Sequence, residues 1–276
     1  MKEMQSSTTG VRTLSTDDLA AAVELSTITG WNQTEDDWRM LMDLAPEGCF
    51  GIEADGELVA TTTLLSFKQQ LAWVGMVLTK PEYRGRGFAR TLVRHAIESA
   101  DCMGVETIKL DATEQGQRLY ESVGFQAEGS VERWSRPGNS SFCALGGNRC
   151  SDQQLVLDLA AFGANRSTML EKLATRSHVC IGTNAYLFVR SGRTTAYLGP
   201  CVGNELASTE ALITSTLNAS SSIAWSWDLL RHNRHAVALA SELGFTRRRV
   251  LTRMCRGKTL RGRDEMVYAI AGFELG

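Results

Sequence analysis

The residues from Met76 to Arg90 have types and spacing that suit phosphate binding. An apolar, strand-like stretch leads into a turn with two glycines, and an amphipathic helical pattern follows at once. Gly85 and Gly87 have no Cβ, so a ligand can approach the backbone there closely. The first N–H groups of a helix have no internal partners and lie at the positive end of the helix dipole, which favours a diphosphate. Further positive charge comes from three arginines, Arg84, Arg86 and Arg90.

The spacing within this turn separates the possible phosphate ligands. A P-loop has the pattern GxxxxGK[ST], and neither Lys-Ser nor Lys-Thr follows these glycines. A dinucleotide-binding loop has GxGxxG, but Arg90 occupies the position of the third glycine. The match is instead to R-x-x-G-x-A over Arg84–Ala89, after a strand and a Pro-x-Tyr. In this motif the chain resembles the GNAT superfamily of N-acetyltransferases.

The resemblance implies that acetyl-CoA is the cosubstrate. In GNAT enzymes the motif binds the pyrophosphate, which here assigns that role to Arg84, Gly85, Arg86, Gly87, Phe88, Ala89 and Arg90. The thioester carbonyl and the pantetheine are expected along the backbone of Val77, Leu78 and Thr79, where the strand splays from its neighbour. The phrases Gly30–Thr34 and Leu110–Phe125 resemble a bacterial subgroup that carries a second, degenerate GNAT lobe, so the resemblance covers nearly the whole chain.

Tyr120 lies four residues before Gly124. In many GNAT enzymes this position donates a proton or a hydrogen bond to the departing thiolate. Complete proton transfer from a tyrosine to a thiolate would be uphill by about 2 kcal/mol, because the reference pKa values are about 10 and about 8.5. Hydrogen bonding is therefore the catalytic role expected of Tyr120. The alternative is a ring that packs under the sheet with its hydroxyl at the rim.

No sequence pattern identifies a general base. Deprotonating a lysine-like amine at pH 7 costs roughly 4 to 5 kcal/mol without help. Glu53 and Asp111, near the ends of strands, could assist, but a structural or solvent-facing carboxylate is the simpler interpretation of each. We interpret His95, His232 and His235 as surface or interlobe residues, and no spacing of histidines and cysteines indicates a metal site.

Two tryptophans, Trp31 and Trp38, are candidates for the acceptor pocket. Large aromatic side chains are most often core residues, and only Trp31 is favoured by the resemblance to GNAT enzymes. The acceptor is predicted to be a small-molecule or peptide primary amine, with aminoglycosides, polyamines, amino acids and protein lysines all compatible.

The elements that must position these residues follow from periodicity and turn signals. The first half predicts one mixed α/β sheet with helices on its faces, and the Asp55-Gly56 pair predicts a hairpin. Its helices are predicted over 17–29, 34–44, 89–103 and 114–122, and its strands over 49–54, 57–66, 71–78, 107–110 and 125–134. After residue 152 a shorter series is predicted, with helices over 155–174, 206–217 and 233–243 and strands over 185–190, 194–198, 223–227 and 247–254.

The two halves align with each other at an offset of 120 residues, which indicates an internal duplication. Gly124-Phe125 corresponds to Gly244-Phe245. The glycine loop corresponds to Asn204–Thr209, which has neither glycine nor arginine, and Tyr120 corresponds to Ala240. We therefore expect two GNAT-like lobes, the second degenerate, and one acetyl-CoA per chain.

Composition gives the domain boundaries. We assign residues 1–134 to the catalytic domain, 135–152 to a linker rich in Gly, Ser, Asn and Arg, and 153–276 to the degenerate domain. Residues 1–134 hold 12 Lys and Arg against 21 Asp and Glu, a net charge of −9, whereas residues 135–276 have 17 against 10, a net charge of +7. Opposite charge favours docking of the two lobes, or an acidic mouth that attracts a cationic amine.

Several classes of protein are disfavoured. The longest apolar runs fall short of a membrane span, and the N-terminus lacks the apolar core of a signal peptide, so we expect a cytoplasmic protein without membrane contact. The basic segment 247–263 lacks the aromatic residues and the recognisable module of a nucleic-acid-binding surface. The leading hypothesis is an N-acetyltransferase. A non-catalytic sensor of acyl-CoA or of a metabolite is the alternative, and no pattern indicates the oligomeric state.

Overall fold

The computed structural model describes residues 10–140, 142, 149–220 and 222–276. In the first half, in chain order, the elements are β1 Val11–Thr13, α1 Leu19–Ile28, α2 Glu35–Leu44, β2 Cys49–Ala54, β3 Glu57–Phe67, β4 Leu71–Thr79, α3 Phe88–Cys102, β5 Thr107–Ala112, α4 Glu114–Glu121 and β6 Gln126–Arg136. In the second half they are α5 Asp152–Phe162, α6 Ser167–Ala174, β7 Ser177–Gly182, β8 Ala185–Arg190, β9 Ala196–Gly203, α7 Leu206–Asn218, β10 Trp225–Leu230, α8 Arg234–Glu242, β11 Thr246–Gly257 and β12 Val267–Ala269.

Local sequence accounts for several of these boundaries. Thr34 and Asp37 form a capping box, in which the Thr34 hydroxyl accepts from the N–H of Asp37 and the Asp37 carboxylate accepts from the N–H of Thr34, so α2 begins at Glu35. The hairpin between β2 and β3 turns at Asp55 and Gly56, whose φ angles of 54° and 80° are those of the tight turn that this residue pair predicts.

The described strands form a single mixed sheet in the order β1-β2-β3-β4-β5-β11-β6-β10-β9-β8-β7, with β12 paired to β9. The last long strand of each half is exchanged. Strand β6 pairs antiparallel with β10 of the second half, and β11 pairs antiparallel with β5 of the first. The mixed α/β sheet and the two lobes are as predicted, but the exchange was not predicted, because either strand satisfies the hydrophobic pattern of either lobe.

The exchange affects the predicted domain boundaries. Strand β6 continues through Ser135 and Arg136, two residues beyond the predicted end of the first domain, and it pairs with the sheet of the second half. Within the predicted linker, residues 141 and 143–148 lie outside the described residues. Helix α5 begins at Asp152, where Ser151 and Gln154 form a second capping box.

Two further features differ from the sequence predictions. The single helix predicted over 155–174 is wrong: it is divided into α5 and α6, because Gly163 ends α5 with a φ of 87°. A Cβ at Gly163 would lie 2.9 Å from the backbone nitrogen of Gly262, so the loop packs directly on this glycine. The short strands β1, β7 and β12 were not predicted.

The core joins the two halves. On one face of the first lobe's sheet, a buried cluster includes Leu92 of α3 and Leu110 of β5. On the other face, a cluster includes Trp38 of α2 and Trp73 of β4 together with Leu170 of α6. Trp38 is 0% exposed, and its indole N–H donates to the Ser26 hydroxyl at 2.7 Å. The proposal of Trp38 as an acceptor-pocket residue is therefore wrong.

Ion pairs join the acidic first half to the basic second half. Arg253 makes a bidentate pair with Asp111, at 2.9 Å for both contacts. Other pairs at 4.0 Å or less join Arg256 to Asp101, Lys258 to Glu106, Arg247 to Glu132, Arg176 to Asp37 and Lys172 to Asp43. The charge asymmetry thus stabilises docking between the halves, as the first of the two sequence interpretations expected.

Candidate active site

The glycine turn leaves open space in front of the N-terminus of α3. Gly85 and Gly87 have φ angles of 77° and 85°, and a Cβ built on either would meet nothing within 4 Å. The first N–H in this helix with an intrahelical acceptor is that of Thr91, which donates to the carbonyl of Gly87 at 3.0 Å. Phe88, Ala89 and Arg90 precede Thr91, and their N–H groups have no hydrogen-bond acceptor among the described residues. The turn therefore offers unpartnered donors and space for an anion.

The arginines of the turn are exposed. The Nε of Arg84 donates to the carbonyl of Thr79 at 3.3 Å, and the guanidinium of Arg86 lies 4.6 Å from the ring centre of Tyr83. The hydroxyl of Tyr83 donates to the carboxylates of Asp55 and Glu57 at 2.9 and 3.0 Å. These contacts hold the turn against the β2–β3 hairpin.

Strand β4 bulges and then separates from β5. Thr61 and Thr63 of β3 pair with Leu78 and Gly75, so β4 contains one extra residue at the bulge, where Met76 has a φ of 47°. In the described structure, β4 pairs with β5 only at Ala72 and Trp73, with Ile108 and Lys109 opposite. The edge of β4 from residue 74 onward therefore faces a gap, and bulges of this kind occur next to active sites.

The gap is a cleft of about 50 Å³ that passes through the sheet. Leu110 and Tyr120 line it on the side of α3 and α4, and Met76 and Val77 line it at the bulge. On the other side it is lined by Trp31, Arg249, Leu251 and Phe273, of which the last three belong to the second half. The side chain of Leu78 is instead buried in the core, at 3% exposure.

Tyr120 is 8% exposed, and its ring packs edge-to-face against Phe125, with 6.1 Å between ring centres. Gly116 gives the ring room, since a Cβ there would lie 3.0 Å from it. The hydroxyl makes no hydrogen bond to any residue that the structure describes. Burial raises the pKa of Tyr120 well above its ordinary value, so the hydroxyl keeps its proton and is suited to donating a hydrogen bond.

The two carboxylates considered as bases are both engaged elsewhere. Asp111 lines the cleft, but both of its oxygens accept from Arg253, whose guanidinium also lies 4.7 Å from the ring centre of Trp73. Glu53 is exposed and pairs with Arg12. Both carboxylates are therefore structural or solvent-facing, which is the simpler of the two sequence interpretations.

The second half holds Trp31 at the cleft. The carbonyl of Trp31 accepts from the Nε of Arg193 at 3.1 Å. The side-chain amide of the next residue, Asn32, accepts a hydrogen bond from the N–H of Thr194 at 2.8 Å and donates one to the carbonyl of Thr195 at 3.0 Å. Trp31 is thus a half-buried wall residue whose position depends on the hairpin between β8 and β9.

The sequence did not predict the three lining residues that the second half supplies, Arg249, Leu251 and Phe273. Arg249 and Leu251 lie in a basic segment that is predicted as a strand of the second half. They reach the first lobe because β11 is exchanged into it, and no local sequence signal reports that pairing.

The corresponding region of the second lobe is filled by its own chain. Strand β12 pairs with β9 at Val202 and Cys201. The indole N–H of Trp227 donates to the carbonyl of Tyr268 at 2.8 Å, and the N–H of Ile270 donates to the carbonyl of Asp228 at 3.1 Å. Residues 267–270 therefore lie between β9 and β10, where the first lobe has its cleft.

The described residues contain no group of three or more His, Cys, Asp or Glu side chains that could hold a metal ion. Over the same residues, no helix has the length and apolarity needed to cross a membrane.

Comparisons with known proteins give the fold and the family. A solved protein of Pyrococcus horikoshii superposes with a TM-score of 0.85 at 20% identity, over 100% of this chain and 99% of its own. A GCN5-related N-acetyltransferase of Sphaerobacter thermophilus superposes with a TM-score of 0.62 at 15% identity, over 92% and 98%. At these identities the likeness concerns the fold alone.

Sequence comparison reaches both halves. The uncharacterized N-acetyltransferase YitH of Bacillus subtilis is 34% identical over 140 residues, which are 48% of this chain and 49% of that protein, so the chain spans about half the length of this relative. The acetyltransferase (GNAT) family model matches residues 18–125, and a second model, the acetyltransferase (GNAT) domain, matches residues 155–269. Each lobe thus carries its own match, and the chain belongs to the GNAT acetyltransferase family.

Proposed function

We propose that this chain transfers the acetyl group of acetyl-CoA to a primary amine, with the first lobe as the catalytic one. Membership of the GNAT family supports acyl transfer. The observation that carries the finer proposal is that three features occur together in the first lobe: unpartnered N–H groups at the start of α3, the open edge of β4, and Tyr120 in the lining of the cleft.

The donors among these features fit the parts of acetyl-CoA. The open space at Gly85 and Gly87 and the N–H groups behind it suit a diphosphate, with Arg84, Arg86 and Arg90 adding charge. The unpaired edge of β4, from Val77 to Thr79, offers main-chain groups to the amide-bearing pantetheine arm. Acetyl-CoA supplies an acyl group activated as a thioester.

Three residues of the cleft have a task in this proposal. Tyr120 donates a hydrogen bond at the sulfur that leaves, and its raised pKa keeps it a donor through the alkaline range. Trp31 and Phe273 form apolar walls on the opposite side, where the amine enters. Neither Asp111 nor Glu53 is free to take the amine proton. The acceptor therefore reacts as the neutral amine, and its proton passes to water.

A panel of amines tests the proposal, with acetyl-CoA as donor and release of free thiol as the signal. Small-molecule and peptide amines are expected to stimulate thiol release. Tyr120→Phe should reduce it without loss of CoA affinity in calorimetry. Binding of CoA with no thiol release from any amine would support the sensor alternative and refute the enzyme. Location in the cytoplasm, where acetyl-CoA is available, is part of the same proposal.

A further inference from the structure

The second half contributes one charged side chain to the cleft. Of the three residues that it provides, Leu251 and Phe273 are apolar and Arg249 is cationic. Arg249 and Leu251 lie two residues apart on β11, so both face the same side of the sheet as Trp31. A guanidinium therefore stands at the end of the cleft opposite Tyr120.

Arg249 forms no ion pair within the described part of the chain, although the charge of Asp228 is near enough to favour its charged form. Its Nε is buried without a hydrogen-bond acceptor, and its guanidinium makes no hydrogen bond or ion pair to a described residue. The guanidinium lies 5.1 Å from the ring centre of Phe273. Burial, and secondarily the neighbouring charge of Arg133, lower the pKa of Arg249, so its surroundings disfavour the charge that it carries. Arg249 is half-buried, and a charge that is partly removed from water without a hydrogen-bonding partner is costly to a fold.

The nearby carboxylates are already bound. Asp228 accepts from the Nε of Arg133 at 2.7 Å and from the hydroxyl of Tyr197 at 2.7 Å. Glu274 accepts from the amide of Gln33 at 2.9 Å and lies 3.6 Å from Arg190. Both carboxylates are thus hydrogen-bonded to other residues, and neither accepts a hydrogen bond from Arg249.

The duplication shows that Arg249 is not part of the shared scaffold. At the offset of 120 residues Arg133 corresponds to Arg253, and each faces a buried aspartate in register, Asp228 for the first and Asp111 for the second. These two pairs are equivalent structural features of the exchange. Arg249 instead corresponds to Gly129, so its charge has no counterpart in the other lobe and belongs to the first lobe's cleft alone.

We propose that Arg249 binds a carboxylate on the amine acceptor, which makes the acceptor a free amino acid or a similar small amino-carboxylic acid. This inference rests on the proposed acetyltransferase function. The planar guanidinium matches a carboxylate in a bidentate geometry. Trp31, Leu251 and Phe273 form the apolar walls around the acceptor body, and the cleft of about 50 Å³ favours a small acceptor over an aminoglycoside. The amine then points to the bulge of β4 and to Tyr120.

Matched acceptors test the carboxylate directly. The probes are free amino acids and the corresponding amino acid amides, which keep the amine and the side chain but lose the negative charge. Rates are compared per neutral amine, because the amide lowers the pKa of the amine. The wild-type chain should acetylate the acids with a kcat/KM at least 10-fold above that of the amides. Arg249→Gln should abolish this preference through a higher KM for the acids and leave the KM for acetyl-CoA unchanged.

Arg248→Gln is the matched control, since Arg248 is the adjacent residue, exposed, with its Nε bound to the hydroxyl of Ser135 at 2.6 Å. It should retain the wild-type preference. Equal kcat/KM for acids and amides in the wild type, or a preference that survives in Arg249→Gln, would overturn the carboxylate site while leaving acetyl transfer intact. Absence of thiol release with every acid and amide would instead count against the proposed function.

Stability provides a measurement that does not need turnover. Arg249→Met should leave the thermal midpoint unchanged or raise it, because it removes a charge that lacks a partner. Arg253→Met should lower the midpoint, because it strands the buried carboxylate of Asp111. Equal destabilisation by the two variants would show that Arg249 has a structural partner, and the assignment would fail.

Discussion

Replacement of Gly87 by alanine separates backbone strain from loss of a ligand site. Gly87 has a φ of 85°, in the left-handed region that a Cβ disfavours, and its Cβ position meets nothing within 4 Å. Gly244, at the end of α8, has a φ of 80° and equally open space. Gly244→Ala is therefore a matched control, because the two substitutions impose the same strain and neither creates a clash inside the protein.

The expected magnitudes differ between folding and binding. Each substitution should destabilise the chain by roughly 1 to 2 kcal/mol, the cost of the left-handed conformation for a residue with a Cβ. Only at Gly87 does the new methyl group occupy the space in front of the α3 N–H groups. Loss of one hydrogen bond to a charged phosphate costs about 1.5 to 3 kcal/mol, which corresponds to a roughly 10- to 150-fold weaker Kd.

Urea unfolding and calorimetric titration with CoA measure the two effects on the same samples. Acetylated pantetheine, which has no diphosphate, adds a second control as acyl donor: its kcat/KM should be the same for wild type and Gly87→Ala. A folded Gly87→Ala protein with the CoA affinity of Gly244→Ala would refute the assignment of the diphosphate to this turn.

Four more measurements test the roles of Tyr120 and Asp111, the absence of a protein base and the number of acetyl-CoA molecules bound. Tyr120→Phe should lower kcat about 10- to 100-fold with little change in CoA affinity, because the hydroxyl stabilises the charge that develops on the sulfur. An unchanged single-turnover rate would show that Tyr120 is only a packing residue. The value of kcat/KM should rise with pH up to the pKa of whichever amine is used, because Asp111 and Glu53 are held in ion pairs and do not act as bases. A rise whose midpoint does not move when the amine is changed would reveal a base in the protein. Asp111→Asn should lower the free energy of unfolding in urea by about 3 to 5 kcal/mol, since it leaves Arg253 buried without its partner. A decrease below about 1 kcal/mol would contradict the structural role of Asp111. Calorimetry should give one acetyl-CoA per chain, because residues 267–270 fill the gap of the second lobe, and a stoichiometry of two would contradict this.

The open glycine turn, proposed to bind the diphosphate, could be predicted from local sequence. The glycines and arginines from Arg84 to Arg90 are contiguous, and the hydrophobic periods on either side identify the strand and the helix that hold them. The family motif then pointed to Tyr120, and the structure places that residue in the cleft. Hydrophobic periodicity alone missed the break at Gly163, where the glycine ends α5 with a φ of 87° and the loop at Gly262 packs against it.

The acceptor side was less predictable because its contacts are not local. Trp31 and Trp38 are the same residue type in neighbouring segments, yet one lines the cleft and the other is buried against Ser26. Which of them is exposed depends on how the second half docks, through contacts such as that of Arg193 with the carbonyl of Trp31. A carboxylate such as Asp111 is ambiguous in sequence for the same reason, since its partner lies 142 residues away.

The strand exchange is compatible with the proposal of a site in the first lobe alone. Each lobe needs a strand from the other to cover a buried aspartate, Asp111 or Asp228, and the arginine on that strand neutralises it. The exchange therefore makes the two halves mutually dependent for folding, whether or not both bind a ligand. A second lobe that has no glycine turn and whose gap is filled by β12 is therefore still required for folding. In the proposed function, its contribution to the chemistry is the set of three residues that it places in the first lobe's cleft, Arg249, Leu251 and Phe273.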